Sequence, residues 1–170
     1  MPENGKLTDA YYNFHSFPFN KWADGPVAGM IGAEIGMFME TVRRADLNII
    51  TAEWVGLVSR TEPPVARTRA VLVGRDPVAL DFHTAKYLLY SNSKIPVHNP
   101  EDPNGPLHQY LTACAARGGG EMDESLVPVR SHDFRTGRAS SDFRVIVPRY
   151  WGFHPKMLAK YLALRLSKPH

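Results

Sequence analysis

At one place in the sequence, chain geometry and side-chain chemistry point to the same spot. At Arg75-Asp76-Pro77 a β-rich run gives way to a helical pattern, so Asp76 should stand where a strand meets a helix N-terminus. A carboxylate there accepts hydrogen bonds from the free first-turn N–H groups, and proline suits the first helical position because no donor is needed there. The same spot lies beyond the carboxyl end of a strand, where open α/β sheets bind ligands. Asp81 follows just over a turn later. Two carboxylates at Asp76 and Asp81 would suit a cation, and Arg75 with the strand residue Thr51 completes the set of candidate ligand-binding residues. N-capping alone also accounts for Asp76, and a solvated helix face accounts for Asp81.

The other reactive side chains are dispersed. His83 lies two residues from Asp81, and residues two apart on a helix do not face one another, so the pair is not expected to bind a metal. His15, His98, His108, His132 and His154 lack the short spacing of a helical zinc motif. His98 and His108 flank one loop, which leaves open whether they meet. Cys114 is the only cysteine, which excludes an internal disulfide, a cysteine zinc site and an iron–sulfur cluster held by this chain alone. Arg60, Arg67, Arg69 and Arg75 surround the two β-rich runs and suit either an anion or a solvated surface. Gly29, Gly32 and Gly36 do not have dinucleotide-fingerprint spacing, and there is no Walker motif or nucleophile elbow. No metal and no cofactor is implied.

Several elements must position these residues. Val27–Arg44 reads as a helix with Ala28, Ile31, Ile35, Phe38 and Val42 on one stripe. Its Gly32 and Gly36 have the small-xxx-small spacing that lets helices approach closely. Leu47–Ala52 and Arg69–Gly74 are apolar without alternation, as expected of strands buried on both faces. Pro77 to about Tyr90 is a helix with the stripe Val78, Phe82, Ala85 and Leu89. Ser91–Pro106 reads as a loop, and Leu107–Arg117 as a short helix closed by Gly118–Gly120. Ser125–Arg130 and Phe143–Val147 are expected strands, paired through a turn around Gly137. Two-sided strands between helices predict an α/β fold with a small, mainly parallel or mixed sheet and flanking helices. The division expected is an aromatic extended arm at 1–25, one α/β domain at 26–150, and a basic amphipathic helix at 151–170.

With 170 residues, 44% hydrophobic and 22% charged, the chain has the composition of a globular domain rather than a disordered or fibrous one. The longest apolar run, Pro26–Met39, is shorter than the ~20 residues that span a bilayer, so no transmembrane segment is expected. The N-terminus lacks a basic start followed by an apolar core, so a cytoplasmic protein is expected. A formal charge of +3 is small. The basic residues of 130–149 and of the C-terminal helix carry no aromatic recognition motif, so nucleic acid is not an expected partner.

The stretch LVGRDPVALD at Leu72–Asp81 resembles the signature of the domain of unknown function family numbered 362. ADLNIITA at 45–52, LTACAARGGGEMD at 111–123 and FHSFPFNKWADG at 14–25 are similar to the family's flanking segments, so the resemblance covers roughly residues 14–130. It implies an incomplete version of a larger α/β domain, corresponding to the family's C-terminal half. The family's other half and its ferredoxin-like cysteine clusters have no counterpart here, and Thr51 stands where the family's first strand commonly ends in an acid.

Two functions follow as expectations. The first is an accessory or structural subunit that docks on a larger protein assembly through its termini. Tyr11, Tyr12, Phe14, Phe17 and Trp22 on the arm and Lys160 and Tyr161 on the last helix would make the contacts, and a homo-oligomer is a further possibility. The second is a small enzyme or redox-linked protein binding a cation or anionic substrate around Asp76.

Overall fold

The computed structural model describes residues 25–56, 65–141 and 150–152. The arm with Tyr11, Tyr12, Phe14, Phe17 and Trp22 and the helix with Lys160 and Tyr161 lie outside the described residues, as does Phe143–Val147.

Helix α1 runs over Gly25–Thr41. Ala28, Ile31 and Ile35 are buried as their spacing predicts, but the helix ends at Thr41 and Val42 is 66% exposed; Met39 takes its place in the core. Strands β1 (Asn48–Gly56) and β2 (Val65–Gly74) follow. Helix α2 starts at Pro77, is α-helical to Thr84, passes through a π-helical stretch at Ala85–Tyr90 and closes with a turn at Ser91–Ser93. All four residues of its predicted stripe are buried. Lys94, at φ +57°, ends the run in the left-handed conformation. A 3-10 turn at Pro96–His98 leads to helix α3, Pro106–Ala116. Gly118, at φ +82°, donates to the Ala115 carbonyl and Gly119 to that of Cys114, a Schellman termination that satisfies the last carbonyls of α3.

Helix α2 is the centre of the structure. One side packs with α1 and α3 around Ile35, Phe82, Tyr110 and Leu111, and the other packs Leu80 and Leu88 against Ala52 and Leu72 of the sheet. The predicted close approach of α1 occurs against α3. A Cβ on Gly36 would lie 2.6 Å from the Cys114 carbonyl oxygen, and one on Gly32 would be closer still to that of Tyr110.

The strand arrangement corrects two expectations. β1 and β2 pair antiparallel, from Asn48 opposite Gly74 to Gly56 opposite Val65, and β5 (Tyr150–Gly152) joins the other side of β2, again antiparallel. The sheet is therefore not mainly parallel among the described residues. The two expected runs left residues 53–68 between them, enough for a crossover. Both strands extend inward and leave only residues 57–64, too few for the dozen or more that a parallel crossover requires. Nor are the strands buried on both faces. Ala52 and Leu72 face α2, while Ile49, Thr51, Val71 and Val73 face outward and are exposed. Apolar residues on an open face removed the alternation that marks a one-sided strand.

A register slip between Ala52 and Trp54 marks a β-bulge, with Thr68 and Arg69 opposite Glu53 and Arg69 at φ +48°. Strands β3 (Ser131–Asp133) and β4 (Arg138–Ser140) form a separate hairpin whose turn holds Gly137 at φ +69°. The turn is where expected, but Ser125–Arg130 is not one of its strands. Asp123 Oδ1 accepts from the Ser125 N–H and hydroxyl at 2.9 and 2.7 Å, which makes this segment a turn.

Candidate functional site

The turn between β2 and α2 forms as its sequence predicts. Asp76 has extended backbone and its Oδ1 accepts from the Ala79 N–H at 2.9 Å, so it is the N-cap of α2. Its Oδ2 accepts from the Glu121 N–H at 2.8 Å, which ties the loop after α3 to the same carboxylate. Gly120 makes that approach feasible: at φ +151°, a Cβ there would overlap the Asp76 carboxylate. Asp76 is thus a cap and a clamp, with both oxygens engaged by backbone donors.

The other predicted residues do not assemble around it. Thr51 pairs with Val71 on the open sheet face, three residues along β1 from the strand end beside Asp76. Asn48 occupies that end, its Nδ2 donating to the Gly74 and Arg75 carbonyls at 3.4 and 3.3 Å. Arg75 is exposed. Asp81 is 2% exposed, which overturns the solvated-face reading. Its charge helps push up the Tyr110 hydroxyl and the Cys114 thiol, though burial is the larger cause for both; the thiol is pushed up to about 12. A thiol in that state is not a nucleophile at neutral pH. Among the described residues no three His, Cys, Asp or Glu side chains group to hold a metal ion.

The arginine cluster is also divided. Arg67 pairs with Glu53 at 3.0 Å and stacks 5.0 Å over Trp54, while Arg69 is exposed on the bulge and Arg60 lies outside the described residues. His98 is buried with Nδ1 2.8 Å from Ser93 Oγ, and His108 Nδ1 lies 2.8 Å from the Pro100 carbonyl, so each is held by its own loop.

A second polar cluster lies on the flank of α2. His83, Lys86 and Tyr87 share one helix face, and Glu124 meets all three. Tyr87 Oη donates to Glu124 Oε1. Lys86 Nζ bonds Glu124 Oε2 and reaches Glu101 Oε1 at 2.7 Å. Burial alone would lower the Lys86 ammonium, but its two carboxylate partners outweigh this and raise it. Burial alone would raise the Glu124 carboxyl, but the Lys86 and Tyr87 hydrogen bonds outweigh this and hold it below the usual carboxylate range. His83 Nδ1 must donate to the Ala79 carbonyl at 2.8 Å, so in the neutral ring Nε2 is an acceptor, facing Glu124 Oε1 at 3.8 Å. The i, i+3, i+4 spacing of 83, 86 and 87 signals a shared face; their common partner Glu124, distant in sequence from all three, has no sequence signal.

Among the described residues, several exposed apolar side chains share the outer face of the β1–β2 pair. Ile49 sits opposite Val73 and Thr51 opposite Val71, and Ile49, Val71, Val73 and the adjoining Leu47 are all more than half exposed. No helix among the described residues is long and apolar enough to cross a membrane. Compared with known proteins, the chain matches no family model, no curated protein and no solved structure.

Proposed function

We propose that this protein is an accessory or structural subunit that docks on another protein chain, with the outer face of β1 and β2 as a contact surface. The observation that carries the reading is the exposed apolar set Ile49, Val71 and Val73 on paired strands, with the adjoining Leu47, where a solvated sheet face would carry polar side chains. The occupant that fits is an apolar protein surface. The reading extends the expected docking beyond the termini. The alternative of a cation or anionic substrate at Asp76 has less support, because both carboxylate oxygens already hold backbone donors.

Native mass spectrometry of the protein gently purified from its source tests the reading, paired with Val71→Asp. A complex with other chains that is lost in Val71→Asp, with unchanged unfolding of the isolated variant, is the expected result. A lone chain carrying a small molecule or metal, or a complex indifferent to the substitution, would refute it.

A further inference from the structure

We infer that the β3–β4 hairpin is a binding element for single-stranded nucleic acid, a role independent of the sheet face. Phe134, at the start of its turn, is 93% exposed, the most exposed large hydrophobic side chain among the described residues. The His132 ring packs against it in a T-shaped contact at 4.9 Å, leaving most of the Phe134 surface in water. The same segment carries Arg130, Arg135 and Arg138, all exposed and with no carboxylate within 4.0 Å among the described residues, although the Arg135 charge acts on Asp133 and Arg138 stands opposite Asp133 in register. Asp133, the one acid of the segment, is spent on the turn: Oδ1 accepts from the Arg135 N–H at 2.9 Å and Oδ2 from the Thr136 hydroxyl at 2.8 Å. Three guanidiniums against one carboxylate leave residues 130–138 at +2.

Exposed arginines and an aromatic face are the two parts by which unpaired nucleotides are held, phosphates by guanidinium and bases by stacking. The turn bonds pre-order the hairpin tip, so little freedom is lost on binding. The sequence argues against nucleic acid because its basic residues are few and lack an aromatic motif; in the hairpin, an exposed Phe134 lies within a run of three arginines.

The test is fluorescence anisotropy of the full chain with oligouridylate and oligothymidylate of about 15 nucleotides, beside polyglutamate of equal length as a charge control. Binding to the oligonucleotides is expected, with a log–log salt slope near −2, from about −0.7 for each of three neutralised phosphates. Phe134→Ala should weaken binding at least about fivefold without changing that slope, since stacking carries no salt dependence. Arg138→Gln should reduce the slope by about 0.7. Neither residue is buried, so unfolding curves should coincide with that of the parent. No binding at low salt, equal binding of polyglutamate, or affinity indifferent to Phe134→Ala would overturn the inference.

Discussion

Asp76→Ala separates a structural carboxylate from a ligand-binding one, and the structure sets the size of the effect. The substitution removes an N-cap on the Ala79 N–H, worth about 1 kcal/mol, and a charge-assisted bond from the Glu121 N–H, worth about 1.5–3 kcal/mol. The total, about 2.5–4 kcal/mol, is a large fraction of the stability of an ordinary domain. Asp76→Asn should fall between: one oxygen still caps the helix, while the amide nitrogen turns a donor toward the Glu121 N–H. Urea unfolding gives the magnitude, and hydrogen exchange gives the location, with the Ala79 and Glu121 amides losing protection before the rest of α2. Loss of less than about 1 kcal/mol with both amides still protected would refute the clamp. A stable Asp76→Ala protein that instead lost a bound ligand would return the turn to the ligand-binding reading.

The close contact of α1 and α3 predicts opposite outcomes for two glycines on one helix. Gly32→Ala should destabilise by about 1–3 kcal/mol through overpacking, whereas Gly29→Ala, with its nearest atom 3.9 Å away, should stabilise by up to about 1 kcal/mol from helix propensity; thermal unfolding of both variants checks this. Because the folded Glu124 carboxyl is held low, its contribution should be complete above the usual carboxylate range and lost as pH falls through the folded value. Stability measured between neutral and strongly acid pH should therefore fall less steeply in Glu124→Gln than in the parent. The raised Lys86 ammonium acts at the other end, its contribution present below the usual lysine range and lost only as pH rises beyond it. Cys114 should resist alkylation by iodoacetamide in the native protein at neutral pH and react at once on unfolding; rapid native labelling would contradict its burial and raised thiol.

How much was legible beforehand depended on the range of the interactions. Asp76, Pro77 and the stripe Val78, Phe82, Ala85 and Leu89 specify a capped helix through contacts within a few residues, and that helix is present with all four stripe residues buried. The same is true of Gly118 as the stop of α3 and of Gly32 and Gly36 as the thin side of α1. LNIITA and RAVLVG do lie in strands, but in one-sided, antiparallel ones rather than two-sided strands of a mainly parallel or mixed sheet, since both runs are as apolar on the open face as on the closed one, and the expected strand Ser125–Arg130 is a turn.

The sequence by itself determined the local features: the cap at Asp76, the glycine stops and the faces of the helices, because each rests on backbone donors, φ angles or side chains within about one helical turn. Only the tertiary structure decided that Glu121 and Gly120 come back to Asp76, that Glu124 joins His83, Lys86 and Tyr87, that Thr51 faces away from the turn it was expected to serve, and that Phe134 is exposed to water beside His132. Those outcomes depend on pairing register and on loop closure across tens of residues. Many registers satisfy the same local pattern, and the packed core around α2 selects one.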